Sequence, residues 1–156
     1  MQGTAASDSI DFEQLLNDSN QSIDDIALQL SNLLKVNKLT MSIAESVSGG
    51  MLSSYCIKHG GASQFFLGGV VAYDALLKVK LCRVHTKTVS KYGVVSSFVT
   101  EEMARGIQAI TGSDISIATT GVAGPANDQY AEDQTGKVFV SWYLHNHFQK
   151  TKQVGW

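Results

Sequence analysis

Apolar residues along this chain follow two spacings, one typical of amphipathic helices and one typical of buried strands. Helical spacing predicts helices at residues 23–35, at 51–59, and from Ser96 or Ser97 to about Ile110. Short β-prone runs predict strands at residues 40–44, 69–73, 114–119 and 138–144. Weaker patterns predict a helix at 76–81, a helical turn at 63–67, a connection at 85–92 and a hairpin strand at 147–154. Because helices and strands alternate, we expect an α/β layered fold whose sheet is at least partly parallel.

The beginning of the chain differs in composition from the rest. Residues 1–21 are rich in Ser, Asp, Asn and Gln, which predicts a mobile lead-in with a short helix at 11–16. Ser22 is a suitable N-cap for the first long helix, and acidic residues follow it in the first turn. A length of 156 residues favours one core, so we assign residues 22–156 to a single domain.

Composition excludes the membrane as a site of action. Hydrophobic residues make up 44% and charged residues 17%, a balance typical of soluble globular proteins. No run approaches the ~20 consecutive apolar residues that span a bilayer. Residues 1–11 lack the basic and apolar regions of a signal peptide. We therefore expect a cytoplasmic protein without a membrane partner.

Charge and cysteine content narrow the possible partners further. Twelve basic against fourteen acidic residues give a net charge of −2, without the basic footprint of a nucleic-acid binder. Five basic residues do cluster within residues 78–91. They form either a solvated face or a contact for a phosphate-bearing small ligand. The two cysteines form neither a disulfide framework nor a zinc site alone. We expect no metal, no cofactor and no nucleic-acid partner.

The first segment with possible chemistry lies between the predicted strand 40–44 and the helix that follows it. Ser46 and Ser48 stand on this turn, and the amides of Gly49 and Gly50 come next. Amides at a helix N-terminus can bind an anion, so one serine is a candidate nucleophile with an oxyanion site behind it. An ordinary helix cap with glycines for close packing is the alternative.

The second segment joins the strand 69–73 to the helix 76–81. Tyr73 ends the strand, and Lys78 follows five residues later. A desolvated lysine can act as the base that a nucleophilic serine needs, and a tyrosine can donate or relay a proton. A surface lysine and a rim tyrosine are the alternative.

The third segment follows the strand 114–119. It contains Thr120, Gly121 and Ala123 before the only proline of the chain, Pro125. Backbone amides in such a loop can form a nest for a phosphate or carbonyl oxygen. It is not a P-loop, because no Gly-Lys-Ser/Thr follows at the required spacing. A plain turn is the alternative.

Four segments in a fixed order resemble those of one protein family. They read Ala44-Glu-Ser-Val-Ser-Gly-Gly50, Gly68-Gly-Val-Val-Ala-Tyr73 with Lys78, Tyr92-Gly-Val-Val-Ser96, and Thr120-Gly-Val-Ala-Gly-Pro125. Together they resemble the C-terminal domain of the competence/damage-inducible protein CinA, over roughly residues 23–144. The resemblance implies a three-layer α/β/α sandwich with a mixed, partly parallel sheet.

The resemblance also implies an activity. Single-domain relatives of this module are nicotinamide mononucleotide deamidases, which release nicotinate mononucleotide and ammonia, use no metal and often form homo-oligomers. By position, Ser46 corresponds to the attacking serine, Lys78 to its base and Tyr73 to a group that supports proton transfer. The residues that correspond to the substrate-binding set are Ser48, Gly49, Gly50, Thr120, Gly121 and Ala123.

Departures from the family pattern leave a second function open. Val47 replaces a frequent cysteine, and Ala75 stands where the family usually has asparagine. The loop after Pro125 is altered and about two residues longer. The given sequence also reaches Trp156 before the family's final helix, whose arginine is expected to bind the substrate phosphate. The alternative is therefore a catalytically impaired domain that binds a nucleotide or a protein partner.

Overall fold

The computed structural model describes residues 21–124, 135–145 and 148–155. In this part of the chain, five strands form one sheet: β1 (Met41–Glu45), β2 (Phe66–Val71), β3 (Ile115–Gly121), β4 (Val138–Leu144) and β5 (Phe148–Val154). The helices are α1 (Ile23–Asn37), α2 (Met51–Ile57), α3 (Ala75–Cys82), α4 (Thr86–Tyr92) and α5 (Ser97–Thr111). A short 3₁₀ turn, Ala62–Gln64, precedes β2. The predicted helix at 11–16 lies outside the described residues.

The strand order β2-β1-β3-β4-β5 makes the sheet mixed. Strand β1 pairs in parallel with both β2 and β3, whereas β4 and β5 continue the sheet in antiparallel fashion. The mixed, partly parallel sheet is therefore confirmed. Because the carboxyl ends of parallel strands meet at one edge of a sheet, the loops that follow β1, β2 and β3 lie close together.

Alternate side chains of the central strands pack into two separate cores. Ile43 faces one core, where Leu34 of α1 and Phe65 pack against it. Ala44, the next residue, faces the other core, which contains Met103 and Ile107 of α5. Helices therefore cover both faces of the sheet, as the predicted three-layer α/β/α sandwich requires.

The first helix shows how local sequence sets an element's bounds. The Ser22 side chain accepts a hydrogen bond from the Asp25 amide, and the Asp25 carboxylate accepts one from the Ser22 amide, which forms a capping box. At the other end, Lys38 adopts a left-handed conformation that closes the helix. The helix ends at Asn37, two residues after the predicted end.

Glycine allows a close approach between the helices α3 and α5. A Cβ atom at Gly106 of α5 would lie 1.7 Å from the Cys82 carbonyl oxygen, at the end of α3. No residue with a side chain fits there without movement of the backbone. This contact fixes α3, which contains Lys78, against the body of the domain.

Two segments differ from their predicted structure. The connection predicted at 85–92 is wrong, because residues 86–92 form α4. A tertiary contact stabilises the start of this helix, since Glu102 of α5 accepts hydrogen bonds from the His85 amide and the Thr88 hydroxyl. Strand β2 spans Phe66–Val71, so it begins three residues before the predicted strand 69–73 and ends two residues before it, with Tyr73 beyond the strand. The prediction missed the start because Gly68 and Gly69 interrupt the apolar pattern. No described helix is long and apolar enough to cross a membrane.

Candidate active site

A cavity of about 580 Å³ opens at the edge of the sheet where the loops after β1, β2 and β3 meet. The loop before α5 completes its wall. The lining residues are Ser46, Val47, Tyr73, Asp74, Ala75, Lys78, Val94, Val95, Thr120, Gly121, Val122, Ala123 and Gly124. All three segments predicted from the sequence therefore contribute to one cavity.

Ser46 and Lys78 form a buried pair in this cavity. Ser46 directly follows β1 and is 5% exposed, and Lys78 lies on α3 and is 2% exposed. The Lys78 Nζ donates a hydrogen bond to the Ser46 Oγ across 2.9 Å. The structure thus brings together a hydroxyl and an amine at the distance that proton transfer requires.

Two backbone carbonyls fix the direction of the Lys78 amine. The Nζ donates to the carbonyl oxygen of Ala72 across 2.8 Å and to that of Tyr73 across 2.9 Å. A neutral amine has two N–H groups and one lone pair. In the ammonium form all three N–H groups donate, to Ser46 and to the two carbonyls. In the neutral form, with both N–H groups on the carbonyls, the lone pair faces Ser46 and the Ser46 hydroxyl becomes the donor.

The surroundings of Lys78 favour the neutral amine. Burial lowers the pKa of Lys78 below its ordinary value, while the nearby Cys82 and Asp74 act in the opposite direction to a smaller extent. Lys78 forms no salt bridge among the described residues. A lowered pKa and the lack of an ion pair within the described residues are properties that a general base requires.

Tyr73 lies at the rim of the cavity. Its side chain is 76% exposed, and its backbone carbonyl, rather than its hydroxyl, contacts Lys78. The adjacent Asp74 is the N-cap of α3, and its carboxylate accepts a hydrogen bond from the Leu76 amide across 2.7 Å. The tyrosine ring is therefore available to a ligand at the entrance.

The turn after Ser46 differs from the predicted oxyanion site. The Gly49 amide donates to the Ser46 carbonyl across 3.2 Å, and the Gly50 amide donates to the Glu45 carboxylate across 3.0 Å. Ser48 contacts Thr119 through a hydroxyl pair 2.7 Å apart. Because both glycine amides already have partners and neither glycine lines the cavity, they are not the oxyanion donors.

Another amide of the same turn remains available. Val47 lines the cavity, and its amide has no hydrogen-bond partner among the residues that the structure describes. It follows the candidate nucleophile directly, and the amide after a nucleophilic serine is the usual oxyanion donor on a strand–turn–helix elbow. The geometry thus moves the candidate donor from Gly49 and Gly50 to Val47.

The buried carboxylate of Glu45 had no role in the sequence prediction. It accepts hydrogen bonds from the amides of Gly50, Leu52 and Ser53 and from the Ser53 hydroxyl. Burial alone would raise the pKa of Glu45, but the hydrogen bonds outweigh burial and place it below its usual value. The signal that the sequence offered was an acidic residue at the end of a strand without other charged residues.

The third segment forms part of the cavity wall, but its first two residues, Thr120 and Gly121, belong to β3 rather than to the predicted loop. Thr120 is 1% exposed, and its hydroxyl donates to the Val94 carbonyl across 3.3 Å, which ties the loop before α5 to β3. Gly121 and Ala123 line the cavity as well. Val94 and Val95 contribute apolar surface for which the sequence predicted no role, although they belong to a family segment.

The basic cluster is a solvated face except for one member. Lys78 alone lines the cavity. The other members, Lys80, Arg83, Lys87 and Lys91, are exposed. Within the described residues, no group of three or more His, Cys, Asp or Glu side chains lies close enough to hold a metal ion.

Comparison with known proteins is consistent with this geometry. The family model of the CinA C-terminal domain matches residues 23–155. A CinA-like protein of Thermotoga maritima is 43% identical over 115 residues, which are 74% of this chain and 28% of the relative. A CinA-like protein of Dictyoglomus thermophilum is 39% identical over 113 residues, 72% of this chain and 27% of the relative. The chain thus spans under a third of the length of these relatives.

Solved structures give the same assignment. The competence damage-inducible protein A of Klebsiella pneumoniae has a TM-score of 0.81 and 28% identity, over 87% of this chain and 83% of that one. A CinA superfamily protein of Escherichia coli has a TM-score of 0.80 and 29% identity, over 86% of this chain and 77% of that one. Sequence motifs, sheet topology and these relatives agree, and the chain belongs to the CinA C-terminal domain family.

Proposed function

We propose that this chain is a serine-type amidohydrolase that converts nicotinamide mononucleotide into nicotinate mononucleotide and ammonia. The observation that supports it most is the buried contact of 2.9 Å between the Lys78 Nζ and the Ser46 Oγ. A lysine that replaces the histidine and acid of a catalytic triad is a known variant of this chemistry. The family resemblance supplies the substrate, and the geometry supports the reaction class.

The first half of the proposed reaction forms an acyl-enzyme. Neutral Lys78 takes the Ser46 Oγ proton while the Oγ attacks the carboxamide carbon, and the carbonyl electrons move to its oxygen. The Val47 amide donates a hydrogen bond to this oxyanion. Protonated Lys78 then gives its proton to the leaving nitrogen, so the C–N bond breaks, ammonia departs and an ester on Ser46 remains.

The second half regenerates the enzyme. Lys78, neutral again, takes a proton from a water molecule that attacks the ester carbon. Collapse of the second tetrahedral intermediate breaks the ester bond, returns the proton to Ser46 and releases the nicotinate product. Tyr73, exposed at the rim, contacts the substrate and supports proton exchange with solvent.

Ammonia release from nicotinamide mononucleotide by the purified chain tests this proposal. We expect turnover in the wild type and none above background in Ser46→Ala or Lys78→Ala. Lys80→Ala is the matched control, because Lys80 lies on the same helix but is exposed. Equal activity in the wild type and in Ser46→Ala would exclude Ser46 as the nucleophile.

One observation favours a second candidate function, a nucleotide-binding or protein-interaction module without turnover. Ala75 lines the cavity at a position where the resemblance implies an asparagine, so one polar contact to a ligand is missing. Such a module would show a rise in unfolding temperature with nicotinamide mononucleotide and no ammonia release. Ammonia release that depends on Ser46 would exclude this alternative.

A further inference from the structure

The carboxylate of Glu45 is completely buried and lies next to the proposed nucleophile in sequence. It forms no salt bridge within the described part of the chain. A buried carboxylate is costly unless hydrogen bonds compensate for the lost water. Here the compensation comes entirely from the turn after Ser46 and from the first residues of α2.

Each oxygen of the carboxylate accepts two hydrogen bonds. The Oε1 accepts from the Ser53 amide across 2.8 Å and from the Ser53 hydroxyl across 2.6 Å. The Oε2 accepts from the amides of Gly50 and Leu52, each across 3.0 Å. A Cβ at Gly69 of β2 would lie 2.4 Å from the Ser53 Oγ, so β2 packs directly behind this cluster.

The turn between Ser46 and α2 depends on these bonds for its shape. Gly49 and Gly50 adopt positive φ angles of 62° and 99°, and glycine restricts the backbone less than any other residue. One end of the turn is held by the hydrogen bond from the Ser46 amide to the Thr119 carbonyl, across 3.0 Å. The other end is held at Gly50 by Glu45.

We propose that Glu45 is a positioning residue of the active site. It closes the turn so that the Ser46 hydroxyl faces Lys78 and the Val47 amide faces the reacting carbonyl oxygen. This inference rests on the proposed serine chemistry, although not on the identity of the substrate. A role in positioning affects the transition state more than substrate binding, so it should lower kcat while KM changes little.

The test compares Glu45→Gln with the wild type in two assays. The first is the rate at which a fluorophosphonate probe labels Ser46, a reaction that forms the Oγ–P bond, releases fluoride and transfers the Oγ proton to Lys78. The second is steady-state deamidation. In Glu45→Gln an amide NH₂ replaces one acceptor oxygen and faces backbone donors, so we expect labelling and kcat to fall about tenfold or more, with KM within about threefold.

Three further variants separate positioning from general destabilisation. Ser53→Ala removes one of the four hydrogen bonds, and we expect a smaller fall of about threefold, which keeps the test available if Glu45→Gln does not fold. Ser54→Ala, exposed on the same helix, should leave both rates unchanged. Leu34→Ala destabilises the core on the α1 side of the sheet and should also leave the labelling rate unchanged.

The outcomes are distinct for the two proposals. Unchanged labelling in Glu45→Gln, or in Ser53→Ala where the first variant is unfolded, would overturn the positioning role. An equal fall in Leu34→Ala would overturn it too, because the effect would then follow stability alone. Wild-type labelling at Ser46 without deamidation would refute the proposed substrate and leave the positioning test intact, and no labelling at Ser46 would refute both.

Discussion

The Lys78 amine contacts the Ser46 hydroxyl across 2.9 Å, although the two residues are 32 positions apart in the chain. Parallel pairing of β1 with β2 places the loop that contains Ser46 beside the helix that follows β2. The carbonyls of Ala72 and Tyr73 also accept hydrogen bonds from the amine and so fix its position. The contact is therefore a product of sheet topology and of one short connection.

Replacement of Lys78 by methionine should abolish the activity without unfolding the domain. Methionine keeps most of the side-chain volume but has no amine, so Ser46 loses its base, and we expect a loss of about a thousandfold or more in kcat. Ammonia release measures the loss, and circular dichroism verifies the fold. Retention of a tenth of the wild-type kcat would exclude Lys78 as the base.

Activity should rise with pH through the lowered pKa of Lys78. The amine accepts a proton only when it is neutral, so kcat is lowest where Lys78 is protonated and levels off above its pKa. Because burial lowers that pKa, the rise should occur below the ordinary lysine value of about 10.4. A pH profile of kcat measures it. A flat profile across the lysine range and below it would contradict the assigned base.

Lys78 should also give the free energy of unfolding a dependence on pH. Its folded pKa lies below its unfolded value, so the unfolded chain binds more protons between the two. The free energy of unfolding therefore rises with pH in that window, and it is lowest below the folded pKa. Denaturant unfolding at several pH values should show this slope in the wild type. The slope should be smaller in Lys78→Met; equal slopes would contradict the prediction.

Gly106→Ala should destabilise the domain and reduce the activity together. The new methyl group would lie 1.7 Å from the Cys82 carbonyl oxygen, so α3 must move away from α5 and Lys78 moves with it. Overpacking of this kind typically costs about 1–3 kcal/mol, and more where the backbone has to shift. Thermal unfolding and ammonia release measure both effects. Arg105→Ala, exposed at the neighbouring position, is the control and should change neither.

Asp114→Ala should loosen the edge of the sheet opposite the cavity. The carboxylate accepts hydrogen bonds from the Thr40 amide and the Thr40 hydroxyl, each across 2.7 Å, and so ties the start of β1 to the start of β3. Loss of both hydrogen bonds should lower the free energy of unfolding by about 1–3 kcal/mol. We expect the lower end of this range because this edge of the sheet is partly solvated. Denaturant unfolding measures the change, and kcat should stay near the wild-type value because the cavity lies at the other edge.

The stabilisation from Asp114 should depend on pH with the same sign as that of Lys78, but in the acidic range where a carboxyl group titrates. The hydrogen bonds from Thr40 lower the pKa of Asp114, so the stabilisation is complete above the unfolded value and is lost as the pH falls through the folded value. The difference in stability between the wild type and Asp114→Ala should therefore shrink in acid. A difference that is constant down to the lowest pH at which the domain folds would refute this assignment.

Local sequence determined the elements whose signals are short-range. The N-cap residue Ser22 and the apolar spacing after it predicted the end of α1 to within two residues. Short β-prone runs predicted the strands β1, β3 and β4, and the alternation of strands with helices predicted the α/β class. The family segments also identified Ser46, Lys78 and the third segment as candidate site residues. Each of these signals lies within a few consecutive residues, so it can be recognised from the sequence alone.

Tertiary structure decided the features that depend on contacts between distant residues. Helix α4 is held by Glu102, which lies on another helix, and its own residues show little apolar spacing. The amides of Gly49 and Gly50 were expected to bind an anion, but Glu45 and the Ser46 carbonyl already accept their hydrogen bonds. The sequence determined which groups are available for chemistry. Only folding decided which donors are already satisfied, because a buried polar group takes whichever partner the packed chain places beside it.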